Sequence, residues 1–186
     1  MTAYLAQHYF RQTPDSLPGL DGEAGGTGGG GGGGGKSIVM TASSGGIYPS
    51  GMCPLYTAAK HGVVGFMRAI APSFYKNDGI RVNAICPGPL RTGLLPDAQW
   101  DLFPPEQMTD VNKVAAVVMM LIEGKDSVPA TETRIDGEGM DRGGKDPLWG
   151  NAVEISAQRH YYRDAPRWSD ETMEKNMLAC DPTLSK

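Results

Sequence analysis

Apolar residues gather in three short, unbroken runs separated by longer stretches of helical period. SIVMTAS (37–43), IRVNAIC (80–86) and NAVEIS (151–156) are bounded by glycine, proline or polar residues. Short apolar runs bounded in this way predict buried strands. Between the first two, the segment from about Leu55 to Tyr75 predicts one long helix. Asp110 sits where a cap belongs for a further helix, whose Val114, Val117, Val118, Leu121 and Ile122 fall on one face. Residues 3–12 place Leu5, His8, Tyr9 and the neighbouring Phe10 at spacings that fit a short helix, stopped before Thr13-Pro14. Strand, helix, strand, helix, strand is the order of a parallel sheet with right-handed crossovers, so the expected class is α/β.

Two segments stand apart from this pattern. Residues 14–35 hold little but glycine, proline and small polar residues, too little apolar surface to offset the entropy of ordering, and predict a disordered insertion. Past Gln158 the aromatics and charges show no clean buried period, although Ser169 and Asp170 offer a helix start. The expected division is a helix over 1–13, the insertion over 14–35, a folded unit over 36–163 and a partly ordered tail over 164–186.

Composition narrows the partners. A formal net charge of −4 with no long basic block gives no electrostatic footprint for nucleic acid or an anionic membrane. Cys53, Cys86 and Cys180 are odd in number and widely spaced, which predicts neither a disulfide framework nor a zinc ribbon. His8, His61 and His160 lack ligand spacing to one another or to a cysteine, so no metal is expected. No segment reaches the ~20 apolar residues of a membrane span, and the first residues lack the apolar core of a secretion signal. These features predict a soluble cytoplasmic protein.

The stretch GGTGGGGGGGGKS (25–37) matches the phosphate-loop spacing G-x-x-x-x-G-K-S through Gly30, Gly35, Lys36 and Ser37. A glycine run satisfies almost any glycine pattern, so context must decide. A phosphate loop follows a strand and opens a helix, because the anion sits on loop amides and the helix N-terminus. Here a polar, glycine-rich segment precedes the match and a strand pattern follows it. The run is expected to be a spacer.

Stronger chemistry lies in PLYTAAKHGVVGF. Tyr56 and Lys60 are four residues apart on the predicted helix and therefore share a face. A phenol is a poor base near neutrality unless a neighbouring cation favours its phenolate, and Lys60 is placed to supply that charge. The pair alone also fits an ordinary helix surface. Ser43, however, ends a predicted buried strand, and RVNAICPGPLRTGLL ends the next strand in Pro87-Gly88 with Thr92 beyond it. Ligand-contacting residues of open α/β sheets gather at such carboxyl ends.

Taken together, Ser43, Tyr56-x-x-x-Lys60 and Asn83-x-x-x-Pro87-Gly88-x-x-x-Thr92 resemble the short-chain dehydrogenase/reductase family. Within it, SSGGIYPSGMCPLYTAAKHGVVGF followed by RVNAICPG is most similar to fungal relatives of NAD-dependent hydroxyprostaglandin dehydrogenases. The resemblance runs from about Lys36 to Arg163, and MTAYLAQHYFRQ is similar to the helix that precedes the serine strand. It implies a Rossmann-type doubly wound sheet, of which this chain holds the C-terminal half. It also implies NAD or NADP as cofactor and a secondary alcohol or ketone as substrate. Tyr56 would exchange a proton with the substrate oxygen, Ser43 would hydrogen-bond that oxygen, and Lys60 would hold the nicotinamide ribose. Pro87, Gly88 and Thr92 would line the nicotinamide pocket. Ser44, one residue short of the family spacing, is expected to cap the turn. The family's opening strand, Gly-rich turn and helix have no counterpart, so the chain is expected to be an N-terminally truncated form with an unpaired edge on the serine strand. A second reading remains open: an interaction module without activity, pairing as a homodimer through the helices at 3–12 and 55–75.

Overall fold

Residue Ile85 points one way from its strand while Ala84 and Cys86 point the other, and both sides are buried. That alternation is the signature of a strand covered on both faces. The computed structural model describes residues 2–13, 35–127, 134–135 and 147–181. Its elements are α1 (Thr2–Gln12), β1 (Ser37–Thr41), α2 (Pro54–Asp78), β2 (Arg81–Pro87), the single turn α3 (Asp97–Trp100), α4 (Val111–Glu123), β3 (Arg134–Ile135), β4 (Ala152–Ser156), β5 (Arg159–Arg163) and α5 (Glu171–Cys180).

The sheet order is β1-β2-β4-β5-β3, with β1, β2 and β4 mutually parallel, β5 antiparallel to β4, and β3 parallel to β5. Helix α2 links β1 to β2 and packs Val64, Met67, Ile70, Ala71 and Phe74 onto one face of the sheet, against Val82, Ala84 and Ala152. On the other face α4 packs Val117, Met120 and Leu121 against Ile85, Val153, Ile155 and Tyr162. A parallel sheet with a helix layer on each side is the doubly wound α/β arrangement expected from the strand and helix order.

The three predicted strands and three predicted helices all form, with ends shifted by a few residues. Ile122, expected on the apolar face of α4, is 44% exposed, and Met120 takes the buried place. The predicted tail contains α5, whose N-cap Asp170 accepts a hydrogen bond from the Met173 amide. The glycine-rich segment 14–34 lies outside the described residues. Lys36 and Ser37 sit at the amino end of β1, where the Lys36 carbonyl accepts from the Arg81 amide. They open a strand and not a helix, so the phosphate-loop context fails as expected. Among the described residues no helix is long and apolar enough to cross a membrane.

Helix α1 is held to the end of α2 by Asp78, which accepts from Gln7 at 2.6 Å and from Arg11 at 2.6 and 2.9 Å. Among the described residues no strand pairs with the outer edge of β1. A groove of about 410 Å³ runs along that edge, with Ala3, Ile38, Met40, Val63 and Phe66 in its walls.

His160 on β5 is fully buried on the α4 side, and neither ring nitrogen has a hydrogen-bond partner. Burial and, secondarily, the charge of Lys113 hold it below the ordinary imidazole value of 6.5, while Asp126 acts in the opposite direction. The unfolded chain therefore takes up the proton first as pH falls. Stability is fully present above about pH 6.5 and declines below it. Denaturant unfolding at steps from about pH 7.5 to about pH 5 is expected to show this decline, and His160→Leu is expected to flatten it.

Candidate active site at the carboxyl edge of the sheet

The β1–β2 register pairs Thr41 with Ile85. Continued along both chains, it brings Ser43 level with Pro87 at the carboxyl edge. Ser43 then begins a tight 3₁₀ turn, Ser44–Gly46, and its Oγ accepts from the Gly45 amide at 3.1 Å. The expectation that Ser44 caps this turn is thus corrected: the cap is Ser43 itself, because its extended backbone turns its oxygen back onto the amide two residues on. Its hydroxyl proton stays available for a second oxygen.

Two glycines let this turn lie against α2. A Cβ on Gly45 would meet Tyr56 Cε1 at 3.1 Å and Ser43 Oγ at 3.6 Å, so the phenol ring and the serine hydroxyl flank one point. A Cβ on Gly46 would lie 2.7 Å from the Lys60 carbonyl oxygen, which is backbone and cannot swing away. The SSGG string therefore encodes a close approach between turn and helix, a signal the motif reading passed over.

Helix α2 begins with Cys53 as N-cap and Pro54 as its first residue, so Tyr56 stands in the first turn and is 40% exposed. Lys60, one turn on, places Nζ 5.6 Å from the Tyr56 ring centroid and donates to the Thr41 carbonyl at 3.2 Å. That bond satisfies an edge carbonyl of β1 and leaves two ammonium hydrogens for other acceptors. Ser43, Tyr56 and Lys60 are thus brought together as the spacing predicted.

Of the remaining predicted residues, Pro87 ends β2 and Gly88 follows at the same edge, its amide donating to the Ile155 carbonyl at 2.8 Å. Thr92 stands further out on an exposed loop, and its hydrogen bonds stay within that loop: Oγ1 accepts from the Leu94 amide and its carbonyl accepts from Trp100 Nε1 at 2.9 Å. Buried Trp100 pins this loop and packs near Phe103, whereas Leu94 is exposed. Asn83 plays a structural part. It is fully buried, donates to the Leu148 carbonyl and accepts from both nitrogens of Asn151, tying β2 to the approach of β4. Among the described residues no group of histidine, cysteine, aspartate and glutamate is arranged to hold a metal ion.

An open, doubly wound α/β sheet with a serine turn, a tyrosine and a lysine at its carboxyl edge defines a structural class. Comparison with known proteins gives that class a family. Residues 30–101 match the short chain dehydrogenase family. A short-chain dehydrogenase/reductase of Penicillium rubens is 45% identical over 178 residues, 96% of this chain and 56% of the relative. The chain belongs to the short-chain dehydrogenase/reductase family. It spans little more than half the length of that relative. Human 15-hydroxyprostaglandin dehydrogenase [NAD(+)] is 44% identical over 59 residues, 31% of this chain and 22% of the human protein. Among solved structures, a 4-hydroxyisoleucine dehydrogenase complexed with NADH is 30% identical, with a TM-score of 0.38, over 46% of this chain and 37% of that one.

Gly46→Ala is expected to destabilise the protein by about 1–3 kcal/mol, the usual cost of forcing atoms into a filled space. Gly51→Ala, with nothing within 4 Å of the new methyl, is expected to be neutral. Denaturant midpoints of the two variants check the contrast.

Proposed function

We propose that this chain carries the catalytic edge of an NAD(P)-dependent oxidoreductase that interconverts a secondary alcohol and a ketone. The observation that carries the reading is the convergence of the Ser43 hydroxyl and the Tyr56 ring on one point beside Gly45, with the Lys60 ammonium over the same ring. Family membership and the NAD dependence in the name of the human relative support the choice of cofactor.

The donor set fits a nicotinamide nucleoside. Lys60 has two hydrogens to spare for ribose hydroxyls, Thr92 has a free hydroxyl hydrogen for an amide oxygen, and Pro87-Gly88 offer a surface free of long side chains. When bound, the nicotinamide supplies the hydride acceptor for alcohol oxidation and the hydride donor for ketone reduction. In oxidation, the Tyr56 phenolate would take the hydroxyl proton while Ser43 donates to the same oxygen. In reduction, Tyr56 returns the proton. The ammonium of Lys60 and the N-terminal turn of α2 both give this end of the site positive potential, which favours negative charge on the reacting oxygens.

Tyr56→Phe removes the proton-transfer group from a half-exposed position. It is expected to lower kcat by about 10²–10⁴-fold with thermal stability unchanged. Reduced nicotinamide formed from NAD+ or NADP+ with 2-octanol or cyclohexanol, followed by absorbance, checks it. Unchanged turnover would contradict the assignment.

A second reading, an interaction module, draws on one observation. Tyr4 on α1 and Phe66 on α2 meet edge-on at 6.3 Å and are both exposed, an aromatic surface formed by the two helices expected to dimerise. Calorimetry with NAD+ and NADP+ separates the readings. Cofactor binding supports the oxidoreductase. A dimer that Phe66→Glu dissociates, in a protein that binds neither nucleotide, supports the module.

A further inference from the structure

The serine turn has a second anchor, on the sheet, at two residues of the face that α2 covers. The Tyr48 hydroxyl donates to the Glu154 carboxylate, with both oxygens at 3.1 Å. Glu154 stands on β4 and Arg163 on β5, with side chains only 10% and 9% exposed, and they pair at 3.2 Å. Arg163 also donates to the Tyr48 oxygen at 3.2 Å and sets its guanidinium 5.3 Å from the Tyr48 ring centroid. An ion pair this buried, roofed by a phenol, is an expensive arrangement unless its hydrogen bonds are filled. Tyr48, at the end of the serine turn, fills one of them.

The turn and the pair are mechanically linked to Ser43. The Tyr48 and Ile47 amides both donate to the Ser44 carbonyl, and the Gly46 amide donates to the Ser43 carbonyl, so 43–48 is one hydrogen-bonded unit. Behind it lies Cys86, fully buried and level with Glu154 in the β2–β4 register. Burial raises the Cys86 thiol to about 11, against a backbone hydrogen bond from Ser43 that works the other way. The Ser43 backbone thus lies within hydrogen-bond reach of the Cys86 sulfur, at the inner end of the turn.

We propose that Tyr48 is a positioning residue: held by the Glu154–Arg163 pair, it clamps the 43–48 turn against the sheet and so fixes Ser43 beside Tyr56. The proposal rests on the oxidoreductase reading for its effect on catalysis, and on the structure alone for its effect on the turn. Gly46 packing fixes the turn on the α2 side, and the Tyr48 hydroxyl fixes it on the β4 side. Tyr48→Phe removes one hydroxyl and leaves the Glu154–Arg163 pair intact, so the variant is expected to fold.

The test uses two readouts. In a Cys53→Ser/Cys180→Ser background, Cys86 is the remaining thiol, and its labelling by a disulfide reagent under native conditions measures opening of the turn. Tyr48→Phe is expected to speed this labelling by about 10- to 100-fold, the range for losing one hydrogen bond to a charged group. In the protein with its cysteines intact, turnover of 2-octanol or cyclohexanol with NAD+ or NADP+ is expected to lose kcat by about 10-fold or more with KM unchanged. Tyr56→Phe is the control: it is expected to lower kcat by about 10²–10⁴-fold and leave Cys86 labelling unchanged. Unchanged labelling in Tyr48→Phe would overturn the clamp whatever the kinetics. A rise in KM at constant kcat would overturn it in favour of direct substrate contact. If the wild-type chain turns over neither alcohol, the oxidoreductase reading loses support, and the labelling rate alone still decides whether Tyr48 seats the turn.

Discussion

Gly46 of the serine turn leaves no room for a side chain, because a Cβ there would lie 2.7 Å from the backbone carbonyl of Lys60 on α2. Because parallel pairing of β1 with β2 places both strand ends at one edge, the chain leaving β1 must turn at once and run back along the sheet as α2. The turn and the first turns of the helix are then pressed together. Any side chain at Gly46 would force them apart, and with them Ser43 and Tyr56. The proposed chemistry of the edge therefore depends on a packing constraint: two glycines let the serine turn and the phenol ring lie close together.

Around that contact the buried polar groups act as braces. Asn83 ties β2 to the segment entering β4, and Arg81 donates to the Leu121 and Ile122 carbonyls at the end of α4 and to the Gly35 carbonyl before β1. Each is buried, and each spends its donors on backbone oxygens that would otherwise go unpaired. The Glu154–Arg163 pair under Tyr48 extends the same scheme to the sheet's antiparallel end. Lys60 differs from these braces in its location: it stands at the exposed carboxyl edge, with one donor on the Thr41 carbonyl.

Much of this was legible in the chain. SIVMT, RVNAICP and AVEIS are apolar enough to be read as strands because both of their faces meet a helix layer or the sheet's core. The site triad was legible because Tyr56 and Lys60 are tied by helical spacing and Ser43 by its strand end. What escaped notice has physical causes. Strand β5, RHYYR, carries charges at both ends and buries a histidine, so it shows no apolar run. Its hairpin to β4 turns through Ala157 at a φ of 50, without the glycine or asparagine that usually announces such a turn. The Tyr48–Glu154–Arg163 cluster joins residues more than a hundred positions apart, and no local pattern encodes it. Ser43 and Ser44 were ranked by family spacing, and only backbone geometry shows which of the two caps the turn.

The central claim is that the Ser43 turn and the first turn of α2 bind one substrate oxygen between them. A crystal structure of the protein with a nicotinamide dinucleotide and cyclohexanone tests it most directly. The account predicts the ketone oxygen at about 2.6–3.2 Å from both Ser43 Oγ and Tyr56 Oη. A ketone bound elsewhere, or one whose oxygen reaches neither hydroxyl, would contradict it.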